Sequence, residues 1–173
     1  MTRAARLDLR SFQKELASRL AAKTAAQVES SRLGLVCAGE RWLLRLADAG
    51  EVIAVPPLMK VPLTRSWFLG LANVRGSLYS VVDFAAFLGH DPVAIGPLAR
   101  LILFNSRTGD LNAGIVVERV AGLRNLAELT AAPARTDAPE WHAQRWADAE
   151  GSAWQEIDLG ALARDPAFLQ VST

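Results

Sequence analysis

Near the start of the chain the large apolar side chains fall at Leu9, Phe12, Leu16 and Leu20, steps of three and four that align them along one side of a helix. Asp8 stands where it can cap the first turn. Glu15 and Arg19 are four apart in the orientation that supports an exposed helical face, and Ala17, Ala21, Ala22, Ala25 and Ala26 favour helix locally. The pattern predicts an N-terminal helical arm over residues 1–30 that packs its stripe on a body of residues 31–173. Docking to a partner or lying on a membrane surface are the alternatives, and the stripe lacks the Trp and dense Lys of a membrane binder.

After Ser30-Ser31 the period shortens. Apolar runs of strand length occupy 33–37, 41–46, 51–55, 71–74, 78–82, 101–104 and 111–117, separated by turn residues. Ala38-Gly39-Glu40 and Arg75-Gly76-Ser77 suit tight hairpins, and Gly109 supplies a positive φ in the loop 106–110. Connections this short favour antiparallel pairing, because parallel neighbours need a long crossover; a doubly wound nucleotide-binding sheet is excluded. Pro56, Pro57 and Pro62 predict a surface loop over 56–66. Asp83 opens a short helix that Gly89 stops, and a second copy of this ending follows: a strand over 154–157, a helical turn over 158–164 and a stop at Asp165-Pro166. Residues 131–139 are a loop. Two strand-rich halves with matching endings predict a duplicated architecture of two small barrels.

Length and composition narrow the function. At 173 residues and 51% hydrophobic, the chain is of one-domain size and buries roughly 70% of its unfolded surface without metal or disulfide support. Cys37 is the only cysteine, which forbids an internal disulfide and fits a reducing compartment. No stretch nears the ~18 apolar residues a membrane span requires, and the N-terminus lacks a secretory core, so a soluble cytoplasmic protein without direct membrane insertion is expected. The net charge of +1 argues against nucleic acid. It divides unevenly, with +4 on residues 1–32 and −3 on the remainder.

Catalytic patterns are sparse. Cys37 with His90 or His142 is the one nucleophile–base combination available to a cysteine-dependent hydrolase, yet Cys37 sits in an apolar run and is better explained as a core residue. Two histidines without a third ligand at a recognisable spacing do not make a metal site. Phosphate-cradling glycine motifs are absent, and Asp83, Asp91 and Asp110 suit caps and turns. The five tryptophans, Trp42, Trp67, Trp141, Trp146 and Trp154, have no basic groove legible around them and are assigned to packing rather than base stacking. Surface recognition therefore outranks catalysis, with a small-barrel nucleic-acid binder and the Cys37 hydrolase as alternatives.

The run Trp67-Phe-Leu-Gly-Leu-Ala-Asn-Val-Arg-Gly-Ser-Leu-Tyr-Ser-Val-Val-Asp-Phe-Ala-Ala-Phe-Leu-Gly89 resembles the core of the CheW-like coupling-protein family: a G-x-x-N-x-R-G turn, a strand, and an aspartate opening a short helix. Gly39-Glu-Arg-Trp-Leu-Leu is similar to that family's first hairpin, and Gly114-Ile-Val-Val-Glu-Arg-Val-Ala-Gly122 to the first strand pair of its second half. The resemblance covers roughly 33–169. It implies a mainly β fold of two intertwined, five-stranded SH3-like barrels, here with an N-terminal helix and short connecting helices. It also implies a non-enzymatic adaptor, without metal or cofactor, that joins the cytoplasmic tip of a methyl-accepting chemoreceptor to the regulatory domain of a CheA-like histidine kinase. The ending over 158–169 looks like the pilus-type, PilI-like branch that serves twitching motility.

The protein-binding residues carried over by resemblance are Gly70, Asn73, Arg75 and Gly76 of the turn motif, Glu51 and Val52 on the preceding strand, and Val120 in the second half. Five of the seven also have a structural explanation. Asn73 can hold the turn through its side chain, Gly76 supplies a left-handed conformation, Arg75 can form an internal salt bridge, and Val52 and Val120 can belong to the core.

Overall fold

The computed structural model describes residues 9–173. Helix α1 (Leu9–Ser30) leads directly into eleven strands: β1 (Ser31–Cys37), β2 (Glu40–Arg45), β3 (Ala49–Ala54), β4 (Phe68–Val74), β5 (Ser77–Asp83), β6 (Arg100–Phe104), β7 (Ala113–Val117), β8 (Arg119–Asn125), β9 (Thr130–Ala132), β10 (His142–Ala147) and β11 (Ala153–Ile157). Short helices α2 (Phe84–Phe87), α3 (Leu159–Leu162) and α4 (Pro166–Leu169) close the strand runs. The strands form two sheets, ordered β8-β1-β2-β11-β10-β9 and β3-β6-β7-β5-β4, the pattern of two SH3-like barrel units. They are intertwined: β1 and β2 start the first sheet, the chain crosses to build the whole second sheet, and β8–β11 return to finish the first.

Both tight hairpins form as the turn residues predict. Ala38 and Gly39 take φ of 54° and 71°, and Arg75 and Gly76 take 52° and 87°, the paired positive values of a two-residue turn whose twist matches its strands. Asp83 caps α2 by accepting from the Ala86 N–H at 3.0 Å, and its second oxygen accepts from Val93 N–H at 2.9 Å, so this buried carboxylate ties helix to following loop. Asp158 repeats the cap on α3, accepting from Ala161 N–H at 2.9 Å. Residues 56–66 cross the surface, touching the second sheet through a Met59–Leu71 bridge.

The core is mainly Leu, Ile, Val and Ala from the strands, and a seam of aromatic rings runs through it. Trp42 of β2 meets Phe84 of α2 edge-on at 5.1 Å and stacks on Trp141 at 6.3 Å, while Phe87, Trp67 and Phe104 surround Phe168 of α4 at 5.4, 6.5 and 5.9 Å. Such pairs add about 0.5–1.5 kcal/mol each beyond area burial. Trp42, Trp141 and Trp154 are all buried, so packing is their role.

Four expectations are corrected. The α1 stripe does not pack on the body: Phe12, Leu16 and Leu20 are 46%, 43% and 63% exposed, and α1 instead meets the rest of the chain near its C-terminal end, where Arg32 donates to the Glu29 carbonyl at 2.6 Å. The capping role of Asp8 lies outside the described residues. Two strand pairs, β2 with β11 and β5 with β7, are parallel, because intervening elements provide the crossover that adjacent runs lack. Asp165-Pro166 starts a helix instead of only stopping one: Asp165 accepts from Ala167 and Phe168 N–H, with Pro166 at the first helical position where its missing donor costs nothing. Within 131–139, Ala131 and Ala132 belong to β9, an edge strand of three residues paired with β10.

Candidate protein-binding site

The β4–β5 hairpin and the outer strand β3 build the site. Asn73, the last but one residue of β4, turns its Oδ1 back to accept from the Gly76 N–H at 2.9 Å, which fixes the left-handed pair Arg75-Gly76 at the tip. Held there, Arg75 extends its Nη1 to within 2.9 Å of Glu51 Oε1 on β3. In the sheet order β3 and β4 are opposite margins, so the curl of the sheet brings them close enough for this ion pair to reach across the opening. With the Arg75 side chain 80% exposed and Glu51 39%, solvent screens the pair and its worth is about 0–1 kcal/mol. Its effect is to fix the direction of two charged groups on an accessible rim.

Val52, next to Glu51, is 40% exposed although it lies in a strand, and Leu78, opposite Asn73 on the hairpin, is 51% exposed. Leu78 was missed in the sequence because alternation sets it on the face of Val82, which is buried; only the hairpin's projection beyond the core uncovers it. The rim thus combines charged and apolar groups on a rigid turn, the composition of a recognition surface.

Gly70 and Val120 stand apart from it. Gly70 has φ of 126°, and a Cβ there would lie 2.2 Å from the Met59 carbonyl oxygen; its missing side chain lets the 56–66 loop bond to β4. Gly76 has open space where a Cβ would go, so conformation alone selects it. Val120 is on β8 in the other sheet, opposite Leu35 and half-buried against the core.

The other chemistry considered is disfavoured by its surroundings. Cys37 is fully buried, and burial, reinforced by the nearby Glu118 carboxylate, pushes its thiol up to about 12, so no thiolate nucleophile forms near neutrality. His142 borders a cleft of about 960 Å³ at the aromatic seam, edge-on to Trp141 at 4.2 Å. Burial, helped by Arg135, lowers its pKa below the ordinary range, and neither ring nitrogen has a hydrogen-bond partner; a base needs an orienting acceptor, and this imidazole has none. His90 is exposed. Among the described residues, no group of three His, Cys, Asp or Glu side chains could hold a metal ion, and no helix is long and apolar enough to cross a membrane. One element was illegible in the sequence: Arg41 and Arg124 approach the Trp154 ring at 5.8 and 5.0 Å, so one tryptophan does have basic neighbours.

With the hairpin, the intertwined sheets and the paired aspartate-capped helices in place, comparison with known proteins is decisive at one point: the family model for the CheW-like domain matches residues 32–167. The chain belongs to the CheW-like domain family. Among curated proteins it is 31% identical over 111 residues to Protein PilI of Pseudomonas aeruginosa, covering 62% of this chain and 61% of that one. It is 35% identical over 94 residues to Protein FrzA of Myxococcus xanthus, covering 53% and 58%. The matched region is therefore under two thirds of the length of these relatives. In fold it resembles the scaffolding protein TtCheW of Thermoanaerobacter tengcongensis, with a TM-score of 0.64 at 20% identity over 75% of this chain and 89% of that one. The CheW-like region contains every rim residue named above, whereas α1 precedes it.

Proposed function

We propose that this CheW-like protein is a non-enzymatic adaptor that couples chemoreceptors to a CheA-like histidine kinase, in a chemosensory pathway controlling type IV pili and twitching motility. The observation that carries the reading is the Glu51–Arg75 pair: a solvated ion pair, braced by the Asn73 hold on Gly76 and flanked by exposed Val52, that adds little to stability yet fixes a rim across the two margins of the second sheet. Membership of the CheW-like family and the similarity to PilI and FrzA favour signalling proteins as occupants of this rim. Glu51, Val52, Asn73, Arg75 and Gly76 form the binding surface in this reading; Gly70 supports it from beneath, and Val120 contributes from the second sheet.

The test is titration of the protein against the receptor's cytoplasmic tip and against the kinase regulatory domain from the same cell. Both should form complexes of moderate affinity, and Arg75→Glu should weaken receptor binding about tenfold or more, since charge reversal sets like charges at Glu51, with the thermal midpoint moving by only a few degrees. Absence of both complexes at tens of micromolar, or a large fall in the midpoint of Arg75→Glu, would overturn the assignment.

A further inference from the structure

A second charged surface lies on the other sheet, independent of the adaptor reading. Arg41 of β2, Arg119 of β8, Arg145 of β10 and Arg135 of the preceding loop line one cavity of about 570 Å³ beside Trp154, with Glu40 as its single carboxylate. Several other arginines have partners: Arg19 pairs with Glu15, Arg32 with Glu156, Arg75 with Glu51 and Arg107 with Glu29, and Arg65 and Arg100 donate to carbonyls, while Arg45, Arg124 and Arg164 stand outside this hollow without an ion pair among the described residues. What sets Arg41, Arg119, Arg135 and Arg145 apart is that they share one hollow and none has an ion-pair partner within 4.0 Å among the described residues. Four guanidiniums facing one hollow with one carboxylate repel one another, and an anion placed there relieves the repulsion.

An adjoining hollow of about 370 Å³ shares Arg41, Arg119 and Trp154 and adds Arg124 together with the carboxylates Glu128, Asp148 and Glu150. Asp148 is already engaged by the Trp154 indole N–H at 3.0 Å and the Ser152 N–H at 2.8 Å. The trough is thus charged throughout: four arginines face one carboxylate in the first hollow, and arginines and carboxylates are mixed in the second. A nucleic-acid strand carries charge at every step and meets Glu128, Asp148 and Glu150 in the second hollow, and Trp154, only 2% exposed, has no face free for a base. A polypeptide can set carboxylates in the arginine-lined hollow and neutral or basic residues against the mixed one.

We propose that this trough docks an acidic segment of a partner protein, its Asp or Glu side chains held by Arg41, Arg119, Arg135 and Arg145. The experiment uses the full chain and a fluorescein-labelled peptide of alternating Asp and Glu capped by two lysines, read by anisotropy at several salt concentrations, with the same peptide carrying Asn and Gln as control. The acidic peptide should bind, lose affinity as salt rises and lose at least tenfold with Arg119→Gln/Arg145→Gln, whereas the amide peptide should not bind. A folded Arg107→Gln/Arg164→Gln variant, with the same loss of charge elsewhere, should keep affinity within about twofold. Failure of the acidic peptide to bind at millimolar concentration, equal losses in the two variants, or tighter binding of a thymidine oligonucleotide at the same arginines would refute the proposal. Receptor or kinase binding at the Arg75 rim is measured separately, so either assignment can fail alone.

Discussion

Replacing Gly70 by Ala tests whether this motif glycine serves the fold or a partner. The added methyl carbon would sit 2.2 Å from the Met59 carbonyl oxygen, whereas a carbon and an oxygen in favourable contact stay about 3.3 Å apart. The loop must therefore retreat by about 1 Å, and the reciprocal bonds of the bridge, Met59 N–H to Leu71 at 2.8 Å and Leu71 N–H to Met59 at 2.9 Å, are lost. At about 0.5–1.5 kcal/mol each, they account for roughly 1–3 kcal/mol. Holding an L-residue at a φ of 126° adds about 1–3 kcal/mol, for a total of roughly 2–6 kcal/mol. In a chain of this size that lowers the thermal midpoint by roughly 5–20 °C. Gly76→Ala is the internal control: nothing lies within 4 Å of its Cβ, so only the left-handed strain remains, about 1–2 kcal/mol. Calorimetry ranks the two, and hydrogen exchange at the Leu71 amide reports whether the bridge has opened. Equal midpoints for the two variants, with the Leu71 amide still protected, would refute the close-approach argument.

Three further outcomes follow from buried groups. Asp83→Ala removes both the α2 cap and the acceptor of Val93, and should cost about 2–3 kcal/mol by denaturant titration, with Asp83→Asn recovering part of it. Arg32 and Glu156 form a buried pair at 2.6 Å, so Arg32→Met should cost about 3–5 kcal/mol by stranding the carboxylate, while Arg32→Met/Glu156→Met should be the more stable of the two; the reverse order would show that the Trp146 indole N–H, 2.8 Å from Glu156, is enough to hold the carboxylate without Arg32. Stability should also fall on both sides of a neutral plateau. The lowered pKa of His142 makes its contribution complete above the ordinary 6.5 and lost as pH falls below it, while the raised pKa of Cys37 makes its contribution complete below 9.0 and lost as pH rises toward about 12. His142→Phe and Cys37→Ala should each flatten the corresponding limb in unfolding measured against pH.

What the sequence disclosed was governed by neighbours along the chain. The two hairpins follow from Ala38-Gly39 and Arg75-Gly76, whose turn chemistry is local, and the aspartate caps at Asp83 and Asp158 follow from residues within one helical turn. The parallel pairs were hidden because β2 joins β11 only after a whole second sheet has been built between them, and apolar periodicity carries no sign of strand direction. The exposed stripe of α1 was hidden for a related reason: spacing shows that apolar residues share a face, but not that anything in the same chain covers it.

The charged groups divide in the same way, and the division explains why the two surfaces differ in legibility. Asn73, Arg75 and Gly76 stand in one turn motif, so the rim could be carried over from a resemblance even though the closing contact to Glu51 depends on the curl of the sheet. Arg41, Arg119, Arg135 and Arg145 come from three strands and a loop and share no motif; on a chain of net charge +1 their clustering is invisible until the first sheet assembles. Arg32 shows the converse. It counts toward the basic N-terminal segment, yet Glu156, 124 residues away, neutralises it inside the protein. Regional net charge therefore misplaces the electrostatic features of this fold: part of the basic excess assigned to the N-terminal segment is internally paired, while the nominally acidic body carries the cluster of arginines left without internal counter-charges.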